Sequence, residues 1–145
     1  MVTDRSRFSV AVSAPAAIPF SVSQIQSVTV TFLKSLGVHK AAISLVFVQG
    51  GAMRRLNKAS LGHDYVTDII TFNLSEPKGD VLEGELVISP AQARRNAHDN
   101  GQSFEREICR YIAHGLLHLI GYDDATDAQR RRMSKKEDML LSLLA

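Results

Sequence analysis

Apolar residues recur along this chain with two different periods, and the changes of period mark out its elements. Phe8-Ser9-Val10-Ala11-Val12-Ser13 alternates with period two, the pattern of a half-buried strand. Beyond Pro15 and Pro19, Ser21-x-x-Gln24 has the form of a capping box. Ile25, Val28, Phe32, Leu33 and Leu36 then mark one helical face, which Gly37 ends. The β-branched run from Ala41 to Val48 reads as a strand covered on both faces, with Gly50-Gly51 turning the chain. A short helix follows, Met53 and Leu56 inward, Arg54, Arg55 and Lys58 outward. Gly62-His63-Asp64 reads as a loop, and Thr67 to Leu74 as a strand. Ser75 to Asp80 is a turn holding Pro77 and Gly79, and Glu83 to Ser89 returns as the second arm of a hairpin.

Three helices complete the pattern. Ser89-Pro90-Ala91-Gln92 supplies an N-cap, a first-turn proline and a glutamine at the third position, and Asn100-Gly101 ends that helix. Ser103 caps a segment that runs to Gly121 and is apolar nearly all round, so it should lie at the centre of the fold. Thr126-x-x-Gln129 caps a last helix with Arg130, Arg131, Arg132, Lys135 and Lys136 outward and Met133, Leu140, Leu141 and Leu144 inward. The order β-α-β-α-β-β-α-α-α predicts an α+β fold, one domain over residues 1–145, with about four strands packed around a buried central helix.

That central helix carries the chemistry. His114 and His118 are four residues apart, so their rings project from one face and can grip one metal ion. Gly121 lets the chain double back, bringing the carboxylate of Asp124 towards the same ion. Three ligands leave a tetrahedral ion a fourth position for water, the arrangement of a catalytic rather than a structural site. Two solvated or hydrogen-bonded histidines would be the ordinary alternative, but a segment this apolar offers them few partners. The spacing is that of the metzincin peptidases, whose first histidine is followed by a glutamate base; here that position is Gly115, so peptide hydrolysis by that route lacks its base, and peptides would need some base other than glutamate. Two imidazoles favour zinc, and the carboxylate makes Mn²⁺ or Fe²⁺ more competitive than a third histidine would.

Bulk properties narrow the class without setting the substrate. The chain has 145 residues, 45% of them hydrophobic, enough for one packed core. No apolar run approaches the ~18 residues of a membrane span. The absence of a basic segment followed by an apolar one argues against a secretory signal, and the single cysteine, Cys109, fits a reducing cytoplasm. Cys109 lies far round the helix from His114 and reads as a small buried hydrophobe. A net charge of +2 permits a nucleic-acid partner without requiring one.

His114-Gly-Leu-Leu-His118-Leu-Ile-Gly-Tyr-Asp-Asp124 resembles the His-Gly-x-Leu-His-Leu-x-Gly-Tyr-Asp-His motif of the YbeY family. Leu56-Asn57, Asp64 and Thr67-Asp68-Ile69-Ile70-Thr71-Phe72 are similar to that family's Leu-Asn…Asp-x-x-Thr-Asp-Val-Leu-Ser-Phe block. Gly84-Glu85-Leu86-Val87-Ile88-Ser89 is similar to its Gly-Asp-Ile-x-Ile-Ser strand, and Met133-x-x-x-Glu137 to its final helix. The resemblance implies a metal-dependent, single-strand-specific endoribonuclease of bacterial ribosomal RNA maturation and ribosome quality control. It also implies RNA as substrate and the ribosome or its proteins as partners, with no membrane. Two positions depart from the family: Asp124 stands where its third ligand is usually histidine, and Leu61 where its loop usually carries an arginine. The first keeps a competent ligand; the second removes a cation that would hold a phosphate. Two other readings stay open: a ribosome-assembly factor binding RNA or protein around a structural metal, and a metal hydrolase of another substrate class.

The remaining polar residues read as ordinary. Asp123 should hydrogen-bond within the turn, and His63 and His98 should be solvated. Asp68 should bond backbone near the cleft. The basic stripe from Arg130 to Lys136 serves either RNA phosphates or solvent.

Overall fold

The computed structural model describes residues 7–61 and 69–144. Four strands and five helices alternate along them: β1 (Phe8–Ser13), α1 (Val22–Ser35), β2 (Ala41–Phe47), α2 (Gly50–Leu61), β3 (Ile69–Asn73), β4 (Leu82–Ile88), α3 (Pro90–Asp99), α4 (Phe104–Leu119) and α5 (Asp127–Leu141). The α+β architecture expected from the hydrophobic periods is the one observed. Segment 62–68, with His63, Asp64, Thr67 and Asp68, lies outside the described residues, as do the side chains of Asn57 and Leu61.

The caps fall where the sequence puts them. Ser21 and Thr126 each accept from the backbone three residues on, and Gln24 and Gln129 reach back to close full capping boxes. Ser89 and Ser103 cap α3 and α4 through their hydroxyls. Gly50-Gly51 differ from expectation: instead of making a separate turn they form the first residues of α2.

The strands form one sheet in the order β1-β2-β4-β3, parallel from β1 to β4 and antiparallel between β4 and β3. The expected hairpin is therefore present at one edge, and its second arm has slotted beside β2. Residues of even number in β4 and odd number in β2 face the main core. There Ile43, Leu45, Phe47, Leu86 and Ile88 meet Phe32 and Leu33 of α1 and Ile108, Ile112 and Leu116 of α4. The opposite face is covered only in part, by Met53 of α2 against Ile70 and Val87. β2 is thus buried on one face and graded on the other, with Ala42 exposed, and not covered on both faces as its apolar run suggests.

Helix α4 packs against α1, α3, α5, β3 and β4, which makes it the centre of the fold. Two glycines let it lie close on the sheet. A Cβ at Gly115 would stand 2.7 Å from one methyl of Leu86 and 2.9 Å from Ile69 Cδ1. A Cβ at Gly84 of β4 would stand 2.6 Å from both methyls of Leu119. Each glycine is a hole for a leucine of the other element. With residue 115 pressed on the sheet, His114 and His118 point sideways, towards the loop after the helix and towards α5.

Candidate metal centre

The site is assembled by the way α4 ends. Gly121, at φ 107°, donates to His118 O at 3.1 Å, and Tyr122 N donates to Leu117 O at 3.0 Å. These two bonds make a Schellman motif, which reverses the chain sharply after Ile120. The loop 120–126 then returns past the last turn of α4, carrying Asp124 to the histidine face.

Three donor atoms meet there. His114 Nε2 and His118 Nε2 are 3.1 Å apart, their rings nearly perpendicular at 76°. Asp124 Oδ2 lies 3.6 Å from the first and 3.4 Å from the second. Two donors each ~2.1 Å from a tetrahedral ion stand about 3.4 Å apart. The three observed edges bracket that value, so the donor set fits a small divalent cation in kind and in spacing, and the three residues could hold one. Their side chains are 27%, 26% and 43% exposed, which leaves the open side of the triangle accessible to solvent and substrate.

Asp123, the competing carboxylate, is turned away from this group. Its Oδ1 accepts from the Asp124 backbone N–H at 2.8 Å, the local turn bond expected of it. Gly121, Tyr122 and Asp123 instead border a cleft of about 360 Å³ that Ile120, Gln129 and Arg132 also line.

Helix α5 braces the site from outside. Glu137 Oε2 lies 2.6 Å from His114 Nδ1, and Arg110 Nη1 donates to Glu137 Oε1 at 3.0 Å. Arg110 Nη2 also donates to Asp138 Oδ1 at 2.7 Å. Burial works against the Arg110 charge, but hydrogen bonds to Asp138 and Glu137 outweigh it and hold the guanidinium above its ordinary pKa. Arg130 donates to the carbonyls of Asp124 at 3.1 Å and Ala125 at 3.5 Å, and pairs with Asp127. Arg130 therefore holds the loop that carries a donor, and like Arg131, Arg132 and Lys135 of the same stripe it is exposed.

Sequence reasoning placed His114, His118 and Asp124 together, but gave Glu137 no part beyond its match to the final helix and did not single out Arg110. A signal was present for the first. Met133, Glu137, Leu140 and Leu141 share one face of α5, and a carboxylate inside an apolar stripe needs a partner. His98 is 91% exposed beside Asp99, on the surface as expected. Cys109 is buried in the main core, and burial pushes its thiol up to about 11, so it stays protonated and outside the donor group.

The family model for Endoribonuclease YbeY matches residues 16–145. The Endoribonuclease YbeY of Chlorobium phaeovibrioides is 44% identical over 112 residues, 77% of this chain and 74% of that one. That of Salinibacter ruber is 41% identical over 113 residues, 73% and 72% of the two chains. That of Desulforamulus reducens is 38% identical over 128 residues, 83% and 84%. The solution structure of TM1509 from Thermotoga maritima superposes with a TM-score of 0.65 over 92% of this chain and 87% of its own; at 22% identity the likeness is one of fold.

Proposed function

Because the chain belongs to the YbeY endoribonuclease family, we propose that it is a metal-dependent endoribonuclease that cuts single-stranded RNA in ribosomal RNA maturation and ribosome quality control. The observation that carries the metal part is the donor triangle of His114, His118 and Asp124, with edges matched to a tetrahedral ion. Zinc is the metal proposed, with Mn²⁺ or Fe²⁺ as competitors because one donor is a carboxylate. The cytoplasm is the compartment proposed; no helix among the described residues is long and apolar enough to cross a membrane.

A divalent ion held by these residues would lower the pKa of a water molecule and polarise a phosphodiester oxygen. The protein's own part is to hold and expose. His114 and His118 are fixed on a buried helix whose axis is set by two glycine–leucine contacts, so the donors are stiff before a ligand arrives. Asp124 brings one negative charge into the donor set and is tied to α5 through Arg130. The donors are partly exposed, so a flexible single strand could bring a phosphate to them. Arg131, Arg132 and Lys135 of α5 are exposed, and their proposed partners are phosphates further along the strand. Gly115 offers no side-chain base, and the place where its Cβ would stand is filled by Leu86 and Ile69.

The test pairs metal analysis of the purified protein with cleavage of single-stranded and duplex RNA before and after chelation. About one divalent ion per chain, and single-strand cleavage lost with the ion and restored by Zn²⁺, is the expected result. RNA binding without cleavage, unchanged by chelation, would replace this reading with that of an assembly factor.

A further inference from the structure

Glu137 accepts from two sides at once. Its Oε2 faces His114 Nδ1 at 2.6 Å and its Oε1 faces Arg110 Nη1 at 3.0 Å, with the side chain only 9% exposed. Arg110 and His114 lie one turn apart on α4, both facing α5. The guanidinium can only donate, and Asp138 fixes its other arm. Both carboxylate oxygens are therefore committed as acceptors, and the atom presented to Oε2 must be an N–H. A neutral imidazole has one N–H. With it on Nδ1, the lone pair falls on Nε2, the atom that faces His118 and Asp124.

We propose that Glu137, pinned by Arg110, is a positioning residue that fixes the tautomer and ring orientation of His114 so that Nε2 is free to bind metal. The inference rests on the reading of His114 as a metal ligand. Its reach lies in what the geometry says about glutamine, which has nearly the same shape but one oxygen and one NH₂. Arg110 must keep the oxygen, so the NH₂ would turn to His114 Nδ1 and donate to it. The imidazole proton would then move to Nε2, where it blocks the metal. Removing Arg110 as well would let the amide rotate and accept from Nδ1–H again.

Two measurements decide. Nitrogen-15 NMR of the histidine rings in metal-free protein reports the tautomer, and chelator competition with Zn²⁺ reports the affinity. The parent should show His114 as the Nδ1–H form, and Glu137→Gln as the Nε2–H form. Zn²⁺ affinity in Glu137→Gln should fall ~10–100-fold, the usual cost of losing an outer partner of a ligand. Arg110→Met with Glu137→Gln should return both the tautomer and most of the affinity. A residue that merely packs would tolerate the near-isosteric glutamine, so unchanged tautomer and affinity in Glu137→Gln overturn the proposal. So does a double variant no better than the single one. Should Glu137→Gln not fold, the parent spectrum still decides, an Nε2–H tautomer refuting and an Nδ1–H tautomer supporting. A parent that shows the Nδ1–H form yet takes up no Zn²⁺ refutes the metal reading instead and leaves the tautomer assignment standing.

Discussion

Replacing Gly115 by alanine should unseat the helix that carries both histidines. The new Cβ would stand 2.7 and 2.9 Å from the two methyls of Leu86 and 2.9 Å from Ile69 Cδ1. Carbon atoms in contact prefer about 3.5–4.0 Å, so something must move by roughly 1 Å. The methyl groups are ends of flexible side chains, but Leu86 is fully buried among packed neighbours and has nowhere to turn. Overpacking of this kind costs ~1–3 kcal/mol, against which alanine recovers up to about 1 kcal/mol of helix propensity. The net expectation is a loss of about 1–2 kcal/mol, read as a fall of roughly 3–8 °C in melting temperature for a chain of this size. Because His114 and His118 flank the glycine, Zn²⁺ affinity should fall too. Thermal unfolding of Gly115→Ala, Leu86→Ala and the double variant separates the contact from ordinary cavity effects. The double variant should be more stable than the sum of the singles allows, by about 1 kcal/mol or more. An unchanged or raised melting temperature in Gly115→Ala, or strict additivity in the cycle, would show that the helix does not rest on the sheet as described.

Three further outcomes are expected. Asp124→Ala should weaken divalent-ion binding strongly in chelator competition while Asp123→Ala leaves it within a few-fold; the reverse ranking would mean that the turn presents the other carboxylate. Burial holds the Cys109 thiol at about 11 against an ordinary 9.0, with smaller opposing effects of Arg106, which lowers it, and Glu105, which raises it. Below pH ~9 the thiol is protonated folded and unfolded, and it contributes no pH dependence. Between those two values only the unfolded thiol ionises, so stability should fall by on the order of 3 kcal/mol in total, a loss that Cys109→Ala should lack in denaturant titrations across that range. Leu61→Arg should raise RNA cleavage at constant metal content, by up to ~10²–10³-fold where no other cation already serves the phosphate; equal rates, with single losses of Arg54, Arg55 and Lys58 also without effect, would show that this segment supplies no such group.

What could be read from the sequence was whatever is encoded locally. The capping boxes at Ser21 and Thr126, the glycine turn at Gly121 and the four-residue spacing of His114 and His118 each depend on neighbours along the chain. Asp124 was legible because a Schellman turn has a fixed reach. The order β1-β2-β4-β3 was not, since nothing in an apolar strand states which partner it will take. For the same reason β2 looked covered on both faces: a run such as Ile43 to Val48 reads alike whether the second face meets a helix or half meets water. Glu137 and Arg110 escaped because their meaning lies across 27 residues of chain, in a contact between two helices. Arg130 lies outward as its place in the stripe suggests, but its bond to the Asp124 carbonyl was not legible, because donating to a loop carbonyl leaves no pattern in the sequence.

The bracing from α5 also has a place in time. Ribosomes make a chain from its N-terminus, so His114 and His118 are joined to it before Arg130 and Glu137, which meet the Asp124 carbonyl and the first histidine. On the function proposed here, such a chain is translated on a particle built of the RNA class it cuts. The groups that brace the centre therefore stand on a helix made after the one that carries its histidines.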